Sequence, residues 1–137
     1  MNDVAFIDTN LFLRYFLNDI PQQADAVEEI LKEARSGKLT LVTNELVIAE
    51  VVWVLESFYG LDKEMIRKIV LSILNTPNIK IASDDIIAQA IDAYVRKNVD
   101  FIDAFSAFWM KANGITKVFT FDKKHFSRVE GIEIRIP

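Results

Sequence analysis

The chain has 137 residues, enough for one domain with a single sizeable core, and its 51% hydrophobic and 26% charged residues exclude a disordered chain. It contains no cysteine, which excludes disulfides and thiolate metal sites, and no apolar run approaches the ~20 residues needed to cross a bilayer. A formal net charge of −4 and a pI near 5.0 argue against a protein that coats nucleic acid non-specifically, so any such partner needs a local basic patch. The start, MNDVAFIDTN, has no basic segment leading into an apolar one, so no secretory signal is expected and the cytoplasm is the default location.

Strand and helix signals alternate along the chain. VAFI (4–7) is a short continuous apolar run, and residues 10–17 form a strongly hydrophobic helical segment. From Pro21 to Ser36 the spacing puts Ala24, Val27, Ile30, Leu31 and Ala34 on one helical face, and Gly37 ends it. LTLVT (39–43) reads as a strand and 44–59 as a long helix stopped at Gly60. Asp62 is placed to cap the next helix, whose Met65, Ile66, Ile69, Val70, Ile73 and Leu74 make an amphipathic stripe closed by Thr76-Pro77. IKIA (79–82) alternates as a weak strand, and Ser83 or Asp84 caps a helix running to about Asn98. Another helix spans Phe101 to Ala112 and stops at Asn113-Gly114. VFTF (118–121), a short basic turn and IEIRI (132–136) complete the chain, with no linker or repeat to mark a second domain.

This alternation predicts one α/β domain over residues 1–137, a parallel sheet covered by helices on both faces. VAFI and VFTF suit interior strands, IKIA and IEIRI suit edges, and right-handed crossovers then give a five-stranded order of 3-2-1-4-5. In that order Asp8 and Asp122 end two neighbouring strands at the point where the winding reverses, and ligands of open α/β sheets bind there.

Two further carboxylates stand in surroundings unusual for solvated charge. Glu50 lies in LVIAEVVWVL, with Leu46, Val47, Trp53 and Val54 as its helical neighbours. Asp103 lies just inside the hydrophobic helix of DFIDAFSAFW. Two like charges ~4 Å apart repel by ~4 kcal/mol at an effective dielectric near 20, so four converging acids need cations or raised pKa values. Oxygen donors without cysteine favour Mg²⁺ or Mn²⁺ over zinc, and such a cation suits phosphodiester hydrolysis. Structural roles compete at each position. Asp8 can cap the first helix, Asp103 can satisfy free N–H groups with Asp100 as the N-cap, and Asp122 can be a turn residue. Glu50, in mid-helix, has no cap or turn role available.

DTN at 8–10, the glutamate of NELVIAEVVWVL, D-A-F at 103–105 and TFD at 120–122 before KKHF occur in an order and spacing that resemble a PIN domain. The likeness runs over essentially the whole chain and is greatest to VapC-type toxins of prokaryotic toxin–antitoxin pairs. It implies a Mg²⁺- or Mn²⁺-dependent endoribonuclease in which Asp8, Glu50, Asp103 and Asp122 bind one or two ions and orient the attacking water. By the same resemblance Asn10 and Thr120 are substrate-orienting or supporting groups. Asp100 is either an outer acid or a helix cap. His125, the only histidine, is not needed as a base where a metal activates water.

Arg14, Lys123, Lys124 and Arg128 are candidates for a basic rim that holds RNA phosphates, with a solvated loop as the alternative. LFLRYFL and VIAEVVWVL are apolar nearly all round, which points to a second buried surface: a dimer or a partner segment in a groove. The resemblance implies both a homodimer and a small antitoxin whose tail blocks the acids. Rival readings are a PIN nuclease of RNA processing, a non-catalytic PIN-like binding module, and a phosphotransfer or receiver domain using Asp8. The last fits poorly, because Asn10 stands where a phosphotransferase wants a second aspartate.

Overall fold

The structure, a computed structural model, describes residues 3–137, which form two compact units, one ending at Asp84 and the other running Asp85–Pro137. The first unit contains β1 (Asp3–Phe6), α1 (Thr9–Leu17), α2 (Pro21–Arg35), β2 (Leu39–Val42), α3 (Glu45–Ser57), α4 (Lys63–Leu74) and β3 (Ile79–Lys80). All three strands are parallel, in the order β1-β2-β3, with Phe6 opposite Val42 and Leu41 opposite Ile79. A parallel neighbour requires a crossover, and here each crossover is a pair of helices, α1–α2 and then α3–α4.

Local chemistry fixes the ends of these helices. Asn44 accepts the Val47 amide at 3.1 Å and Asp62 accepts the Met65 amide at 2.8 Å, each supplying a partner for an N–H that the helix leaves free. Pro21 opens α2, and Gly37, at φ +84, carries the chain out of it. Tyr15 of α1 and Arg35 of α2 both bond Glu28 of α2, the arginine at 2.7 Å, which holds the Glu28 carboxyl below and the Tyr15 hydroxyl above their ordinary pKa values. The core of this unit is aliphatic: Ile48, Val51 and Leu55 of α3 and Ile66, Val70 and Ile73 of α4 are almost wholly buried.

The second unit holds α5, which starts at the boundary (Asp84–Arg96), then α6 (Phe101–Ala112), β4 (Lys117–Phe119), α7 (Lys123–Phe126) and β5 (Glu133–Arg135). β4 and β5 are parallel, Val118 opposite Ile134, with the short α7 in their crossover. Ile87, Ile91 and Tyr94 of α5 and Phe101, Ala104 and Ala107 of α6 are buried, and the Tyr94 and Phe101 rings meet edge to face at 6.4 Å.

Two expectations need correction. The continuous five-stranded sheet in order 3-2-1-4-5 is not formed among the described residues; the 3-2-1 and 4-5 portions are separate sheets. VAFI and VFTF are not interior strands, since Val4, Phe6 and Phe119 are 66%, 55% and 73% exposed. A continuous apolar run identifies a strand without stating whether both its edges are paired, and elements of three or four residues carry few ladder bonds. Pairing therefore stops at β1 on one sheet, and each strand of the second sheet has one partner.

α3 separates the two kinds of apolar residue in this fold, since Leu55 is fully buried while Leu46, on the same helix, is 75% exposed. Leu55→Ala is expected to cost about 2–5 kcal/mol of unfolding free energy in urea titrations and Leu46→Ala about 0.5 kcal/mol or less. Equal costs would mean the face of α3 is assigned wrongly.

Candidate active site

In the first unit Asp8 follows the carboxyl end of β1 and takes the N-cap position of α1, yet its side chain makes no cap hydrogen bond. Its carboxylate is exposed, as is the side chain of Asn10 in the first turn of α1. Glu50 lies in the second turn of α3 and is also exposed. The face around it is apolar, as its sequence neighbours require, but that face is open: Leu46 and Trp53 are 75% and 62% exposed.

In the second unit Asp103 and Asp122 come together. Asp100 takes the N-cap position of α6 without a side-chain cap bond, its carbonyl accepts the Ala104 amide at 2.8 Å, and this first turn holds Asp103 half-buried. Asp122 is the N-cap of α7. Its backbone N–H donates to Thr120 Oγ1 and its Oδ1 accepts the Lys124 amide, both at 3.0 Å. The Thr120 hydroxyl therefore fixes the turn that presents Asp122. A carboxylate oxygen of each aspartate and a ring nitrogen of His125 all lie within 4.8 Å of one another.

Burial pushes the Asp103 carboxyl above its ordinary pKa, and the negative charges of Asp100 and, less strongly, Asp122 push the same way. A protonated imidazole at His125 would oppose that shift. In the geometry present, however, His125 Nδ1 accepts the Asp100 backbone N–H at 3.0 Å and so carries no proton.

His125, noted in the sequence as the only histidine and given no catalytic role there, is the residue whose place beside the two acids the sequence did not reveal. Its spacing three residues after Asp122 puts it in the first turn of α7, for which Asp122 is the N-cap, and that spacing was the only signal available. The proposed basic rim divides in two. Arg14 pairs with Asp19 at 2.9 Å and reaches the Tyr59 hydroxyl, and Arg128 donates to the Asn98 carbonyl, so both brace the chain. Lys123 and Lys124 are exposed on α7 beside the acidic pair.

Residues 5–132, nearly the whole chain, match the PIN domain family. The chain belongs to that family. Among curated proteins, the VapC ribonuclease of Aquifex aeolicus (strain VF5) is 28% identical over 121 residues, 88% of this PIN chain and 89% of that protein. A crystal structure of Mycobacterium tuberculosis VapC20, described as a sarcin–ricin-loop-cleaving toxin, aligns with 96% of this chain and 98% of its own. At 20% identity and a TM-score of 0.41, that likeness adds nothing to the family assignment.

The acidic pair of this PIN chain fits a hard divalent cation. Two aspartate oxygens this close, one half-buried and raised in pKa, form a site of excess negative charge. Mg²⁺ typically takes one or two carboxylates at about 2.1 Å and fills its remaining positions with water or phosphate. Metal-free, Asp103 holds its proton more tightly in the folded protein than in the unfolded chain. Folding is thus favoured while the group is protonated and loses that advantage as pH rises through the raised value. In chelator at neutral pH, Asp103→Asn is expected to raise Tm by a few degrees, the gap closing as the pH falls into the carboxylate range. Calorimetry across that range checks this; a lower Tm for the variant at neutral pH would contradict it.

Proposed function

We propose that this chain is a divalent-metal-dependent endoribonuclease, the toxin of a type II toxin–antitoxin pair, acting as one PIN domain over residues 1–137 in the cytoplasm. The observation that carries the reading is the approach of Asp103 and Asp122, like charges gathered where a cation neutralises them, within a PIN family member. The family match runs through both compact units, which supports a single working domain. The relative named VapC ribonuclease, matched over most of both chains, supports RNA as the substrate.

In this reading Asp8, Glu50, Asp103 and Asp122 together hold one or two Mg²⁺ or Mn²⁺ ions. A bound ion of this kind acidifies a water and neutralises charge developing on the phosphate. The chain's own groups do the rest. Thr120 keeps the Asp122 turn in place, and Asn10, exposed two residues after Asp8, orients substrate. Lys123 and Lys124 contact RNA phosphates, which gives an acidic protein its local attraction for the polyanion. Arg14 and Arg128, already engaged within the fold, contribute less.

The same reading includes a homodimer and an antitoxin. Supporting it are the exposed Leu46 and Trp53 on α3, and a largely apolar groove of about 310 Å³ between α1 and α2, lined by Leu11, Val27 and Ile30. The antitoxin tail covers the acids, and an arginine is the side chain best matched to them.

Cleavage of a mixed RNA pool with added Mg²⁺ or Mn²⁺ tests the proposal. Wild type should cut, and chelator should abolish cutting. Asp8→Asn, Glu50→Gln, Asp103→Asn and Asp122→Asn should each lower the rate by about a hundredfold or more, while remaining folded by circular dichroism. Undiminished cutting in chelator, or by the Asp103 and Asp122 variants, would refute the metal site. Lys123→Ala with Lys124→Ala should raise KM several-fold and flatten its salt dependence, leaving kcat nearly unchanged.

A further inference from the structure

The group of Asp103, Asp122 and His125 has the composition of a mixed carboxylate–imidazole metal site. The hydrogen bonding of the imidazole argues otherwise. A histidine that ligates a metal offers one ring nitrogen's lone pair and donates the other nitrogen's N–H to a carbonyl or carboxylate. His125 has the reverse arrangement, because its Nδ1 accepts a proton donor, the backbone N–H of Asp100, at 3.0 Å. The neutral ring must then carry its proton on Nε2. Nδ1 is occupied and Nε2 is protonated, so neither nitrogen has a lone pair for a cation.

What that bond joins gives the residue its role. Asp100 begins α6, its carbonyl accepts the Ala104 amide, and Asp103 follows within the same turn. His125 sits on α7, whose N-cap is Asp122. The bond spans 25 residues of sequence and ties the turn that carries one acid to the turn that carries the other. Two carboxylates within 4.8 Å repel when no cation is bound, and a crosslink between their turns opposes separation.

We propose that His125 is a positioning residue, not a metal ligand: its Nδ1, by holding the Asp100 N–H, sets the spacing of Asp103 and Asp122. This rests on the acidic pair being the metal-binding pair of the proposed nuclease. The role is distinct from that of the four acids, since His125 gives the ion no electron pair.

The side chains of asparagine and glutamine separate positioning from ligation. Asparagine brings an acceptor oxygen close to where Nδ1 lies, whereas glutamine reaches the region of Nε2. Full-length wild type, His125→Ala, His125→Asn and His125→Gln are compared by Mg²⁺ binding in calorimetry, by Asp100 amide hydrogen exchange, and by thermal melting. His125→Ala and His125→Gln should weaken Mg²⁺ binding about tenfold and speed exchange at Asp100. His125→Asn should restore both to within about twofold of wild type, at similar Tm. Nitrogen NMR of the wild-type imidazole should find the proton on Nε2, unmoved by saturating Mg²⁺. A proton on Nδ1, a ring-nitrogen shift typical of direct ligation, or binding kept by His125→Gln and lost by His125→Asn would overturn the proposal. Wild type that neither binds Mg²⁺ nor cuts RNA would instead sink the nuclease reading. The imidazole tautomer and Asp100 exchange would still decide whether His125 holds the two turns together.

Discussion

Repulsion between the Asp103 and Asp122 carboxylates, whose oxygens lie within 4.8 Å, has to be opposed by the chain itself. The opposing forces are backbone hydrogen bonds at helix starts. The first turn of α6 is closed by the Asp100 carbonyl, and the turn before α7 is closed from both sides of Asp122, by Thr120 Oγ1 and by the Lys124 amide. Each of these bonds is worth about 1 kcal/mol net, so the geometry depends on several acting together rather than on one strong contact. The Asp103 carboxyl is raised in pKa chiefly by its burial and then by the charge of Asp100, with Asp122 adding least.

Helices α1 to α6 were legible in the sequence because their signals are local, whereas the four-residue α7 read as a basic turn. Asn44 and Asp62 announce helix starts by side-chain chemistry, Gly37 and Gly114 announce ends, and the Ile66–Ile73 stripe has the period of a buried face. The strands were legible as strands, and their alternation with helices made parallel pairing the expectation, but their exposure was not legible. Whether Val4 and Phe6 are buried depends on what lies beside β1, and no pattern within four residues carries that information. Glu50 is a related case. An apolar neighbourhood on a helical wheel suggests burial, yet the Leu46 and Trp53 side of α3 is exposed.

At the candidate site, the approach of Asp103 to Asp122 follows from where the two helix starts fall; the sequence placed the start of α6, whereas the start of α7 read only as a short basic turn. His125 was not legible in the same way. Its partner is a backbone N–H 25 residues upstream, and a backbone group has no residue-type signature. The tautomer, which decides whether the imidazole is a ligand or a brace, depends wholly on that unseen partner. Arg14 and Arg128 had the opposite fate. Both look like RNA contacts by charge alone, and both are drawn into intramolecular bonds.

On α3, Glu50 stands between Leu46 and Trp53, four residues after one and three before the other, so at 1.5 Å per residue both hydrophobes lie within about 6 Å of it along the axis. All three are exposed on the same side of the helix. Whatever macromolecule seats itself on the two hydrophobes therefore desolvates the carboxylate between them and narrows the approach to it. Adhesion to this helix and access to its acid are thus mutually dependent, and a binder gains leverage over Glu50 without having to touch it.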